Sequence, residues 1–192
     1  MRHRLIVGHT GALCREAAHW LPPSVRAAMP QPQRLAGRVL LSRALNRPLP
    51  PLLIAESGKP CFAEPSLPAF SLSHSGQTVA LLLSSGGEVG CDIEQVRARP
   101  RFAALAAQSF SPACCHWLRR QRDPLAAFWQ LWTVHEAVLK QQGRSVWAMR
   151  DLHLSLPHLA PAGLVTHTFC LDGCRIALCA RQPFTALKIE RL

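Results

Sequence analysis

From Phe70 to Glu94 the apolar and polar positions follow one another as strand, turn, strand, turn, strand. Polar residues interrupt that pattern, because Ser73, His74, Asp92 and Glu94 stand where a core strand would be apolar. Thr78–Leu83 and Val89–Glu94 are expected to pair as a hairpin through Ser84-Ser85-Gly86-Gly87. Upstream, Leu5–Val7 predicts a short first strand, and Pro22-Pro23-Ser24 ends a segment and can cap a short helix. Gln33–Leu45 predicts a helix, with Leu35, Val39, Leu40 and Ala44 apolar and Asn46 and Pro48 as its stop.

After Pro100 the pattern turns helical. Ser111-Pro112 and Asp123-Pro124 each read as an N-cap followed by proline at the first helical position. The second opens a helix over Pro124–Gln142, closed by Gly143, with Leu125, Phe128, Trp129, Trp132 and Leu139 as its apolar stripe. From Asp151 onward the period is that of strands, over Leu152–Leu156, Gly163–Leu171, Cys174–Ala180 and Phe184–Ile189. Leu171-Asp172-Gly173-Cys174 is a two-residue hairpin signal. Each half of the chain is therefore expected to hold helices and an antiparallel sheet, an α+β class.

The 192 residues, 48% of them hydrophobic, suit one domain or two small lobes sharing a core. The longest strongly apolar run is Val79–Leu83, far short of a membrane span, and the first twenty or so residues lack the apolar core of a signal peptide. A cytoplasmic protein is expected. In that compartment the eight cysteines would be free thiols used as small hydrophobes. The net charge of +11 is spread along the chain and favours a polyanionic partner. Only three of the 22 basic residues are lysines: Lys59, Lys140 and Lys188.

Asp92 and Glu94 lie two apart, so in an extended strand both carboxylates leave the same face. Such a pair repels unless a cation or proton sits between them, and oxygen-only ligands suit a hard ion such as magnesium. Glu136 falls within the apolar stripe of its helix and Lys140 on its edge. An i,i+4 ion pair explains the pairing but not its place on the inner face. Arg34 and Arg38 share one helical face, either solvated or a phosphate clamp, and Gly58-Lys59-Pro60 puts a lysine on a non-helical backbone. Carboxylates beside cationic donors are the equipment of phosphoryl or pyrophosphate chemistry.

Four motifs in order carry a resemblance. They are Gly58-Lys59-Pro60; Phe70-x-Leu72-Ser73-His74-Ser75; Val89-Gly90-Cys91-Asp92-Ile93-Glu94; and Phe128-Trp129-x-x-Trp132-Thr133-x-His135-Glu136-Ala137-x-x-Lys140. The chain resembles the surfactin-type 4′-phosphopantetheinyl transferases over nearly its whole length. That resemblance implies a pseudo-dimer of two similar α+β lobes, here residues 1–90 and 91–192, with coenzyme A bound in the cleft between them. It implies magnesium held by Asp92, Glu94 and Glu136, with Glu136, or a water it orients, taking the proton of a carrier-protein serine. Lys140 would meet the pyrophosphate charge, and adenosine 3′,5′-bisphosphate would leave. Ser73 and His74 would hold the 3′-phosphate, Lys59 would lie near the nucleotide, and Arg34 and Arg38 would contribute to coenzyme A binding.

The implied partner is an acyl or peptidyl carrier protein, acidic around its serine, which suits the +11 surface. A monomer is expected, with neither nucleic acid nor membrane as partner. One departure stands out: His135 occupies the place where the family usually has lysine, and protonated it could touch phosphate or carrier. A degenerate member that binds coenzyme A without efficient transfer is one alternative. Charge alone supports the other, a basic nucleic-acid-binding protein, but the chain lacks clustered basic runs and a reading motif.

Overall fold

The computed structural model describes residues 3–192. The first strand, β1 (His3–His9), leads into two short helices, α1 (Thr10–Arg15) and α2 (Ala17–Trp20). Pro23 then starts α3 (Pro23–Ala27), and α4 (Pro32–Leu45) ends at Asn46, whose φ of 51° is left-handed. A two-stranded ribbon, β2 (Leu52–Ile54) with β3 (Pro60–Phe62), precedes β4 (Ala69–Ser75), β5 (Thr78–Ser84) and β6 (Val89–Gln95). The second half holds α5 (Phe102–Ser109), α6 (Pro112–Arg119) and α7 (Pro124–Gln142), followed by β7 (Val165–Leu171), β8 (Cys174–Ala180) and β9 (Leu187–Arg191).

The α+β class expected from the sequence is what the structure has. Its core is built in four layers. One sheet has the order β4-β5-β1-β9 and the other β6-β8-β7. Their inner faces meet through Leu5, Val7, Ala80, Leu82, Val89, Cys91, Ile93, Ile176 and Leu178. Ile6, Phe70, Val79, Leu81 and Leu83, on the outer face of the first sheet, pack on Leu13, Ala17 and the Ala36–Leu41 stretch of α4. On the second sheet Ala177 and Cys179 pack on the helical cluster of α5–α7. Strands buried on both faces have no polar side, which explains the unbroken apolar run in β5.

Several local expectations hold. Asp123 accepts the N–H of Ala126 at 3.0 Å and Ser111 that of Cys114 at 3.3 Å, so both proline-led helices are capped as expected. Gly143 closes α7 at a φ of 64°. Leu171 pairs Cys174 across Asp172 and Gly173, both at positive φ, as a primed two-residue turn requires.

Others do not. Thr78–Leu83 and Val89–Glu94 form no hairpin, because β5 already has β4 and β1 on its two sides. The Ser84–Gly87 turn instead carries the chain from one sheet to the other. Leu152–Leu156 makes no strand; only an isolated Ser155–Ala160 bridge forms there. Leu152, Leu154 and Leu156 bury themselves against α7 and its neighbours, so burial rather than a ladder uses that alternation. The sheets are not wholly antiparallel either. β9 runs parallel to β1, and Arg4 Nε meets Glu190 Oε1 at 3.1 Å across that pairing. The last strand thus completes the first sheet, and the 90/91 division falls inside β6.

The stripe read on α7 is also broader than expected, because Leu131, Val134, Ala137 and Val138 are fully buried too. Contact of α7 with β6 depends on Gly90. A Cβ there would lie 1.7 Å from the Ala137 carbonyl oxygen and 2.6 Å from the Gln141 nitrogen, backbone atoms that cannot turn aside. Gly90→Ala is expected to push α7 outward and destabilise by about 2–3 kcal/mol or more, lowering Tm by about 5–10 °C. A thermal melt of the variant checks this, and an unchanged Tm would show that α7 does not rest on β6 as described.

Candidate active site

The order of strands leaves β4 at one edge of the first sheet and β6 at one edge of the second. No main-chain ladder joins them. Three serines of β4 do so instead: Ser71, Ser73 and Ser75 accept the backbone N–H groups of Cys91, Ile93 and Gln95 at 3.0, 3.3 and 3.0 Å. Each step spans 20 residues, so the strands run in the same direction along this seam. Alternation in β4 points every second side chain at β6, and serine is short enough to bring a hydroxyl to the partner's backbone.

Two of these hydroxyls also reach the carboxylates. Ser73 Oγ donates to Asp92 Oδ1 at 2.7 Å, and Ser75 Oγ donates to Glu94 Oε2 at 2.6 Å. Lys140, on α7, closes the group by donating to Asp92 Oδ1 at 2.7 Å and to Ser73 Oγ at 3.1 Å. Asp92 is 4% exposed, so its charge depends on these partners, yet its Oδ2 is buried with none. Burial pulls the Lys140 ammonium down, but the carboxylates of Asp92 and Glu136 outweigh it and hold its pKa above the usual lysine value. Burial raises Glu136; Lys140 opposes the rise, while Asp92 and Glu94 add to it. Glu94 is raised in the same way, against the pull of its bond from Ser75.

A cavity of about 310 Å³ opens beside this group, lined by Lys59, Phe70, Ser71, Glu136, Lys140 and Arg144 among others. An adjoining one of about 420 Å³ carries Arg34 and Arg38, and the two share Gly58, Pro60 and Leu72 as a common wall. Arg38 is lowered by burial and by the like charge of Arg34, and its Nε has no partner. His74 is held below the usual histidine value by burial and by Lys140 and Arg34, against the pull of Asp92. Lys59 is already engaged, with Glu88 and, at 2.9 Å, with the carbonyl of Val89. Asp92, Lys140 and Ser73 thus form one bonded group with Glu94 and Glu136 within charge reach of it, Lys59 on the wall of the first cavity, Arg34 and Arg38 on the second, and His74 within charge reach of Lys140 and Arg34.

Known proteins resemble this chain over most of its length. Residues 88–182 match the model of the 4′-phosphopantetheinyl transferase superfamily. The chain is also 42% identical over 189 residues to the 4′-phosphopantetheinyl transferase AcpT of Salmonella typhi, covering 95% of this chain and 94% of that one. The chain belongs to the 4′-phosphopantetheinyl transferase superfamily. Similarity to AcpT of Escherichia coli strain K12 is of the same order, 41% over 191 residues, covering 95% and 93% of the two chains.

The transferase departs from what its sequence suggested at His135. That side chain is fully buried and stacks on Phe110, with ring centroids 4.6 Å apart. Its Nδ1 lies 2.7 Å from the Leu131 carbonyl, which can only accept, so Nδ1 carries the hydrogen and Nε2 is bare and unpartnered. Burial lowers its pKa to about 4. A neutral side chain buried in the core does not reach a phosphate or a carrier, so the contact expected of a protonated His135 is not made.

The seam itself was not foreseen. Ser71 and Ser75 lie at i and i+4 around Ser73, and three serines on one face of a strand were the available signal. Among the described residues no three His, Cys, Asp or Glu side chains stand close enough to ligate one ion unaided. Magnesium, however, is usually held by one or two carboxylates and completes its shell with substrate phosphate and water. Asp92 Oδ2, buried and unpartnered among mutually repelling carboxylates, suits that mode.

The buried imidazole gives a pH prediction. The folded state holds His135 below its unfolded value of about 6.5, so the unfolded chain binds the extra proton. Stability is then full above that pH and is lost as pH falls toward 4. His135→Leu should remove about 2 kcal/mol of the stability difference between pH 7.5 and 5, measured by denaturant unfolding at both. His135→Lys should lower Tm rather than create activity; a more active, equally stable lysine variant would refute this placement.

Proposed function

We propose that the chain transfers the 4′-phosphopantetheine arm of coenzyme A to a serine hydroxyl of an acyl or peptidyl carrier protein. What supports this most is one juxtaposition: Glu136 and Lys140 line a cavity at the carboxylate seam, and Arg34 and Arg38 line the cavity beside it. An anionic nucleotide suits the cationic side, while a charge-neutralising ion suits the carboxylates. Arg34, Arg38 and His74 would hold the phosphates of coenzyme A, with Lys59 on the wall of the Glu136 cavity.

In the reaction the serine oxygen bonds to the phosphorus that bears the pantetheine arm. The bond from that phosphorus to the bridging oxygen of the pyrophosphate breaks, and adenosine 3′,5′-bisphosphate leaves with the electron pair. The serine proton passes to the Glu136 carboxylate, directly or through a water it orients. Lys140, one turn further along α7, presents its ammonium to the pyrophosphate charge. Asp92, with Glu94 and Glu136 beside it, would hold a magnesium ion that takes the rest of its shell from substrate phosphate and water, and the ion would supply neutralisation of that charge.

The site of action in this reading is the cytoplasm, and no helix among the described residues is long and apolar enough to cross a membrane. The protein, coenzyme A, magnesium and a panel of apo-carriers are expected to yield at least one carrier heavier by one phosphopantetheine arm. No mass gain on any carrier would overturn the proposal. Glu136→Gln should slow transfer by about 10²–10⁴-fold. It should melt no lower than the wild type, since burial, Asp92 and Glu94 disfavour the charge it removes. Undiminished transfer would take Glu136 out of the mechanism.

A further inference from the structure

We propose that Ser73 and Ser75 are positioning residues that fix the β6 carboxylates, and that Ser73 does not hold a phosphate of coenzyme A. A serine hydroxyl has one hydrogen to donate and two lone pairs to accept with. All three are committed at Ser73: the hydrogen to Asp92 Oδ1, the lone pairs to the Ile93 N–H and the Lys140 ammonium. A phosphate oxygen needs a donor, and none is left. Ser73 is also 7% exposed, whereas His74, the next residue, is exposed and lies in the field of Arg34 and Lys140.

Ser75 repeats the geometry one pleat on, taking the Gln95 N–H at 3.0 Å and giving its hydrogen to Glu94 at 2.6 Å. Each hydroxyl is thus fixed by a backbone group of β6 and in turn fixes a carboxylate of that strand. The donor occupies one oxygen of each carboxylate and leaves the other, Asp92 Oδ2 and Glu94 Oε1, for a cation. Partners that orient metal-binding carboxylates in this way typically change metal affinity by about 10–100-fold when removed.

This inference rests on the proposed function, and its experiment separates the two. Mg²⁺ is titrated calorimetrically into the full-length protein saturated with coenzyme A, for the wild type, Ser75→Ala and Ser75→Thr. The expected result is Mg²⁺ affinity about 10–100-fold weaker in Ser75→Ala and restored in Ser75→Thr, with kcat at saturating Mg²⁺ within a few fold of wild type. A purely structural serine would lower Tm without moving Mg²⁺ affinity. That outcome overturns the positioning role while leaving the transferase reading intact. No Mg²⁺ binding by the wild type overturns the positioning role, and the carrier mass gain alone then decides the transferase reading.

The second arm compares coenzyme A with 3′-dephospho-coenzyme A. Ser73→Ala should leave the ratio of their affinities unchanged, and His74→Ala should shrink it. A ratio that collapses in Ser73→Ala would place Ser73 on the 3′-phosphate and overturn its assignment.

Discussion

The contact between Asp92 and Lys140 sets the terms for the rest of the molecule. A carboxylate 4% exposed cannot stay charged without close partners, and here those partners come from two other elements. Lys140 reaches in from α7, and Ser73 reaches across from β4 on the opposite sheet. The pair therefore requires α7 to lie directly on β6 and the two sheet edges to meet. Gly90, two residues before Asp92 and on the same face of its strand, permits that close approach. Remove any of these conditions and a buried charge is left alone.

Layering explains why polar chemistry collects at this one place. Both sheets carry apolar clusters on both sides, so the middles of their central strands are largely apolar. β4 and β6 are edge strands, and serine hydroxyls satisfy backbone groups there that no neighbouring strand reaches. Carboxylates can then stand on β6 beside a cavity whose other walls carry arginine and lysine. A net charge of +11 with carboxylates collected at the seam suits an anionic substrate that shares a cation with the protein.

Much of this was legible in the sequence, and the boundary between legible and hidden follows the physics. Caps such as Ser111 and Asp123, the Asp172-Gly173 turn, and the shared face of Asp92 and Glu94 depend on neighbours in sequence, so spacing reveals them. The assignment of β5 and β6 to different sheets depends on which strand occupies each edge, and no local signal contains that. The parallel return of β9 to β1 is equally remote, joining residues more than 180 positions apart, as Arg4 and Glu190 are. His135 misled because its helical angle placed it beside the stripe, whereas α7 is buried nearly all round and Phe110 covers that side. Ser73 carried a familiar motif, but its saturation by three partners appears only in three dimensions.

The claim that the seam is organised by one shared charge pair is tested most directly by a double-mutant cycle. Unfolding free energies are measured by denaturant for the wild type, Asp92→Asn, Lys140→Met and the double variant. Lys140→Met strands the buried Asp92 and should cost about 3–5 kcal/mol, whereas Asp92→Asn leaves a part-exposed Lys140 and should cost less. The double variant should be more stable than the sum of the two losses implies, with a coupling of about 1–3 kcal/mol. Losses that add to within about 0.5 kcal/mol would contradict the account, because the two charges would then be acting independently.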